Sequence, residues 1–213
     1  MLFGFAGLCV VAVVSDALEY ALLGRIADGE RPSDAEITFN DTRQAVIGLA
    51  QTGLQIALYV AFIMWFYRAY SNLPRLGVTG GLRFGPGWAI GAWFVPFLNL
   101  VRPKAIANDI WKGSDPDLPP QAGRAWQDGA IPGALLGWWW FVWLITSLAN
   151  NIALRTRLSA ETAVELQANA ATYIVADALG VPAALLAAQV VKKLNDRQEE
   201  RAARLQHGAQ ALQ

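Results

Sequence analysis

Three carboxylates stand inside runs that are otherwise apolar: Asp16 and Glu19 in the first such run, and Asp177 in the last. Asp16 and Glu19 are three residues apart, so on a helix they share one face. An ionisable side chain inside a bilayer costs roughly 2.5–3.5 kcal/mol on insertion scales, and it usually turns toward the bundle interior and a partner. Two kinds of chemistry follow. The carboxylates pair with one another, or with arginine and asparagine, and only hold helices together; or they line a path for a solute or a proton. Asp177 sits near the middle of its run, about 15 Å from either interface, too far for so short a side chain to reach water. It is therefore expected to face the protein interior. A hydrolytic aspartyl dyad would need two carboxyls sharing a proton, and no supporting motif flanks either aspartate. Asp16-Ala17-Leu18 echoes Asp177-Ala178-Leu179; three common residues are a chance match.

A second group of polar residues surrounds the stretch RFGPGWAIGAWFVPFLNLVRPKAIANDIW, Arg83 to Trp111. Pro96 breaks its apolar centre, because proline lacks a backbone N–H and clashes with the preceding turn. A carbonyl released by that break needs another donor in lipid. Asn99 lies close to it in sequence, with Arg68 and Asn72 entering from the same side and Asp109 following. The candidate polar cluster is thus Arg68, Asn72, Asn99, Asp109, Asp16 and Asp177. Arg68 either clamps the broken segment or lines a solute site.

Other chemistry is thinly represented. The single histidine, His207, lies in the polar C-terminal tail, and no His-Glu-x-x-His occurs, so hydrolytic machinery is not expected. One cysteine, Cys9, permits neither an internal disulfide nor a metal set. Asp115-Pro116-Asp117 is a turn signal rather than a cation site. No catalytic residue, cofactor or metal is assigned, and the protein is not expected to be an enzyme. Seventeen basic and seventeen acidic residues balance, which argues against a nucleic-acid partner.

These residues must be carried by membrane elements. Hydrophobic residues are 54% and charged residues 16%, against roughly 25% charged in soluble domains, and the apolar excess falls in long blocks. The expected class is all-α, a polytopic transmembrane helix bundle. Four spans are placed at about 2–23, 45–67, 131–154 and 168–191, each close to the roughly 20 residues a bilayer requires. The first is read as a span and not a signal peptide, since no basic residue precedes it. Ser33 and Glu36 have capping-box spacing for a short helix, with a second start near Asp41. The broken segment 86–103 is too short to cross as one helix and enters the membrane as a re-entrant piece; a fifth, kinked span is the alternative. Gly77, Gly81 and Gly85 belong to a loop. Gly129, Gly133 and Gly137, four apart, are expected to form a close helix-packing face. Residues 1–191 make the transmembrane domain, and 192–213 a charged, helical, cytoplasmic tail.

Positive charge does not choose between the two topologies. Four spans with the N-terminus inside leave twelve basic residues on the cytoplasmic side and five outside. Five spans with the N-terminus outside give the same split from a different set. Both place the C-terminus in the cytoplasm.

Trp65-x-x-Arg68-x-x-x-Asn72, Pro86-Gly87-Trp88, Trp93-Phe94-x-Pro96, Asn99-Leu100, Pro103 and Ile110-Trp111 resemble the DUF4328 family of bacterial membrane proteins, over about residues 45 to 190. Where the family has a glutamate before Ile-Trp, this chain has Asp109. The resemblance implies a multi-pass protein of the bacterial plasma membrane, with an inside N-terminus that favours four spans, and it implies no activity. The expected role is a non-enzymatic packing or scaffold component, with lipid and a membrane-protein partner or second copy as neighbours. The alternative is a small channel or transporter with an intramembrane carboxylate site.

Overall fold

The computed structural model describes residues 1–129 and 133–210. All regular structure among them is helical: α1 (Leu2–Ala27), α2 (Asp34–Ser71), α3 (Trp88–Gly91), α4 (Arg102–Gly113), α5 (Ala134–Ser159) and α6 (Ala163–Gln210), with 3-10 turns at Leu73–Leu76, Leu98–Leu100 and Ala125–Asp128. Three helices, α1, α2 and α6, are long and apolar enough to cross a membrane. α5 is as long as α1, 26 residues, but falls outside that set; four tryptophans and two asparagines dilute its hydropathy. Residues 131 and 132 of the expected third span lie outside the described residues, as do 211–213 of the tail.

The helices outrun the apolar blocks that announce them. A separate short helix at Ser33 and a new start near Asp41 are not found: α2 runs unbroken from Asp34 to Ser71. The Ser33 hydroxyl does accept from the Glu36 amide at 3.3 Å. A true capping box starts α6. The Glu165 amide donates to Thr162 Oγ1, while Glu165 Oε2 takes the amides of Thr162 and Glu161; both orphan ends are satisfied.

The chain forms two compact units, Met1–Leu58 with Phe141–Ala187, and Tyr59–Trp140 with Ala188–Gln213. In the first, α1 buries Ala6, Cys9, Ala12, Ser15, Asp16 and Leu22, a three-and-four-residue stripe of mostly small side chains. The stripe lets α6 come close: a Cβ added to Gly180 would stand 2.9 Å from Cys9 Sγ. Asn169 ties α6 to α5, donating to the Ala153 carbonyl at 2.7 Å and to Thr156 Oγ1 at 2.8 Å.

In the second unit, Phe62, Trp65, Phe66, Trp93, Trp139 and Trp140 form an aromatic cluster, with Trp93 edge-on to Phe62, Phe66 and Trp140 at 5.7–6.1 Å. Residues 86–103 form no continuous helix. α3 is a single turn, Leu98–Leu100 is 3-10, and between them Phe97 takes φ 63°, a left-handed conformation that costs a non-glycine residue of order 1–3 kcal/mol. The Asn99 amide bonds the Val95 carbonyl at 3.0 Å, so the backbone bridges Pro96 with a turn. Asp115-Pro116-Asp117 is a turn, its Asp117 amide bonded to Asp115 Oδ1 at 3.1 Å.

Among the described residues, no helix packs against the expected glycine positions 133 and 137. A Cβ on Gly133 or Gly137 would meet nothing within 4 Å, and on Gly129 the nearest atom is the Trp126 carbonyl, three residues back. Four-residue spacing makes a face only inside one helix, and α5 begins at Ala134. The close approaches are elsewhere. Gly77, at φ 88°, leaves no room for a side chain against the Pro120 carbonyl, and Gly80 lies against Gly123.

Candidate functional site

In the first unit, three helices bring their polar residues to one place. Asp16 on α1 and Asp177 on α6 have their carboxyls within hydrogen-bonding reach of each other. Gln51 on α2 donates to Asp177 Oδ1 at 2.9 Å. Gln44, two turns earlier on the same face of α2, donates to Asp16 Oδ1 at 3.2 Å and to Glu19 Oε2 at 2.5 Å. Its own oxygen accepts from Ser15 Oγ at 2.9 Å, and Arg43 donates to Ser15 Oγ at 3.0 Å and to Asn40 Oδ1 at 2.6 Å. Arg43 and Arg157 supply the positive field at Glu19. Asp16 is 8% exposed, and its Oδ2 is buried without a donor. Carboxylates carry no donors of their own, so two of them in contact form a hydrogen bond only when one holds a proton.

In the second unit, Asp109 is 3% exposed and faces Arg83 at 3.6 Å. Burial pushes its carboxyl up to about 6, against the pull of Arg83 and then Lys112. Arg83 and Arg102 both stand 5.0 Å from the Phe84 ring centre, and Arg102 lies 4.2 Å over Trp88. The α6 extension carries a buried cation. Arg201 is 1% exposed and spends its guanidinium on backbone carbonyls: Leu76 at 2.5 Å, Asp115 at 2.7 Å, Leu118 at 3.0 Å and Pro119 at 3.2 Å. One turn earlier, Arg197 pairs with Asp115 at 3.4 Å and lies over Trp111 at 4.2 Å.

The six candidate polar residues thus divide, Asp16 and Asp177 in the first unit, Arg68, Asn72, Asn99 and Asp109 in the second. The expected trio at Pro96 is not assembled by hydrogen bonds among the described residues. Arg68 is exposed at the end of α2, Asn72 precedes the 3-10 turn and Asn99 sits in the next one. Of the motif residues, Trp65 donates to Asn195 Oδ1 at 2.8 Å, Trp93 Nε1 donates to the Ala89 carbonyl, and Pro103 is fully buried at the start of α4. Pro86 and Pro96 are exposed, and Trp88 and Trp111 serve as platforms for arginines. Gln44, Gln51, Arg43 and Arg201 were not singled out from sequence. Arg201 had a signal: Val190, Leu194, Arg197 and Arg201 continue the inward stripe of α6 at four-three-four spacing.

No curated protein and no solved structure matches the chain. A family model does, over residues 28–196, from just before α2 to within α6; it takes in Asp177, Gln51, Asp109 and the broken segment, and leaves out Asp16. The chain therefore belongs to the DUF4328 family, a domain of unknown function.

Proposed function

We propose that this protein is a small membrane transporter or channel that handles protons at an intramembrane carboxylate pair. The carrying observation is the contact between Asp16 and Asp177, on two helices each long and apolar enough to span. A carboxylate pair with Asp16 buried and Asp177 half-buried is a costly way to join helices, since well-packed apolar residues serve as well or better. A pair that shares one proton can take up or release it as its surroundings change. Glu19, with Gln44 between it and Asp16, extends the pair toward the end of α1 and offers the next station. The test is proton flux into proteoliposomes loaded with a pH-sensitive dye: flux present in the wild type and lost in Asp177→Asn supports the reading; no flux in the wild type under an imposed potential ends it.

The same proposal places four spans, α1, α2, α5 and α6, in the bacterial plasma membrane with the C-terminus cytoplasmic. Arg201 supports this by joining the carbonyls of Leu76 and Asp115 on one guanidinium. Residues 77–114 then leave and return on one side, and 86–103 is re-entrant. A second reading, a non-enzymatic scaffold, is favoured by one observation: Gly137 has open space beside it and Trp138 is 59% exposed, a flank of α5 that another membrane helix would fill. Cross-linking from a cysteine at Gly137 to a second copy or a partner tests it.

A further inference from the structure

The segment after α3 exposes apolar side chains: Phe94 71%, Phe97 83%, Leu100 48% and Val101 62%. Phe97 does so from a strained backbone, the one non-glycine residue of positive φ among the described residues. Strain that persists at an exposed aromatic points to use rather than packing. Basic residues close both ends. Arg83 and Arg102 converge on the Phe84 ring, 5.0 Å from its centre on each side of the segment in sequence, and Arg102 also covers Trp88. Arg83 divides its charge with Asp109. Arg102 has no carboxylate partner among the described residues; its aromatic neighbours fix the plane of the guanidinium and leave its N–H donors unspent. A fixed, planar, unpaired guanidinium beside exposed aliphatic and aromatic surface matches a molecule with an anionic head and apolar tails.

We propose that the base of this segment is a headgroup site for one anionic phospholipid, its phosphate held by Arg102 with Arg83 beside it, and its acyl chains lying along Phe94, Phe97 and Val101. The site is separate from the carboxylate pair, and its test does not depend on proton movement. Purified full-length protein in mixed micelles is titrated with phosphatidylglycerol and with phosphatidylcholine of identical acyl chains, reading bound lipid by native mass spectrometry and thermal stability in parallel. Phosphatidylglycerol should bind about tenfold more tightly than phosphatidylcholine, the loss of one charge-assisted contact. Arg102→Gln should remove that preference, while Arg75→Gln, an exposed arginine of the same unit, should keep it. Glycerol 1-phosphate, a headgroup without tails, should not displace the lipid. Equal binding of the two lipids by the wild type overturns the proposal whether or not the variant folds. So does a preference that survives Arg102→Gln, or displacement by glycerol 1-phosphate.

Discussion

Replacing Asp109 with asparagine should change how stability depends on pH more than it changes stability itself. Burial raises the Asp109 carboxyl from 3.8 to about 6 in the folded protein, with Arg83 and Lys112 pulling the other way. Raised in the folded state, the group holds its proton more tightly there than in the unfolded chain. Its contribution is fully present below pH 3.8, fades as the pH rises toward 6, and is gone above that. Two pKa units correspond to about 3 kcal/mol. For a chain of this length that is about 6–12 °C in Tm. Asparagine keeps the shape and removes the titration. The assay is thermal unfolding of wild type and Asp109→Asn in one detergent from pH 4 to 7.5, taking the difference in Tm so that other titrations cancel. The wild type should lose Tm relative to the variant between pH 4 and 6, and the difference should be flat above. A flat difference throughout would show that Asp109 does not titrate in the window. A wild type that gains on the variant as pH rises would show that attraction to Arg83 outweighs burial, and would refute the reasoning.

Gly180→Ala places a methyl 2.9 Å from Cys9 Sγ and should destabilise by about 1–3 kcal/mol, seen as a lower Tm. Gly137→Ala has open space and should be neutral or stabilising by up to about 1 kcal/mol through helix propensity. Arg201→Met leaves four carbonyls without their donor and should cost at least about 3 kcal/mol, with limited proteolysis opening first around residues 115–119. Cysteines introduced at Gly85 and Lys112 should be labelled from the same face of the membrane, as should one at Gln198; labelling of the first two from opposite faces would establish a fifth span.

The carboxylates were legible because the bilayer makes them expensive, so Asp16 and Asp177 stood out before any geometry. Their partners did not. Gln44 and Gln51 carry no mark of their own in the sequence, and only the alignment of α2 turns them onto α1 and α6. The proline break was legible because Pro96 removes a specific backbone donor, yet the positive φ of Phe97 has no sequence mark, since nothing local requires it. The regular spacing of Gly129, Gly133 and Gly137 suggests one shared helix, while α5 starts after two of them. Arg201 was hidden by its neighbours. Lysines, glutamates and arginines on every side make 192–204 look like a solvated helix, and the Val190–Leu194–Arg201 register is visible only once α6 is known to continue. The length of α2 was missed for a similar reason, as its first turns are polar and apolar periodicity is silent there.

The central claim, that Asp16 and Asp177 share a proton inside the membrane, is open to infrared spectroscopy of the reconstituted protein at neutral pH. A protonated carboxyl has a C=O stretch that a carboxylate lacks, and burial moves that band away from water-exposed acids. The wild type should show one such band, shifted by deuterium exchange and absent in both Asp16→Asn and Asp177→Asn. No band at neutral pH, or a band that persists in both variants, would contradict the shared proton and the function built on it.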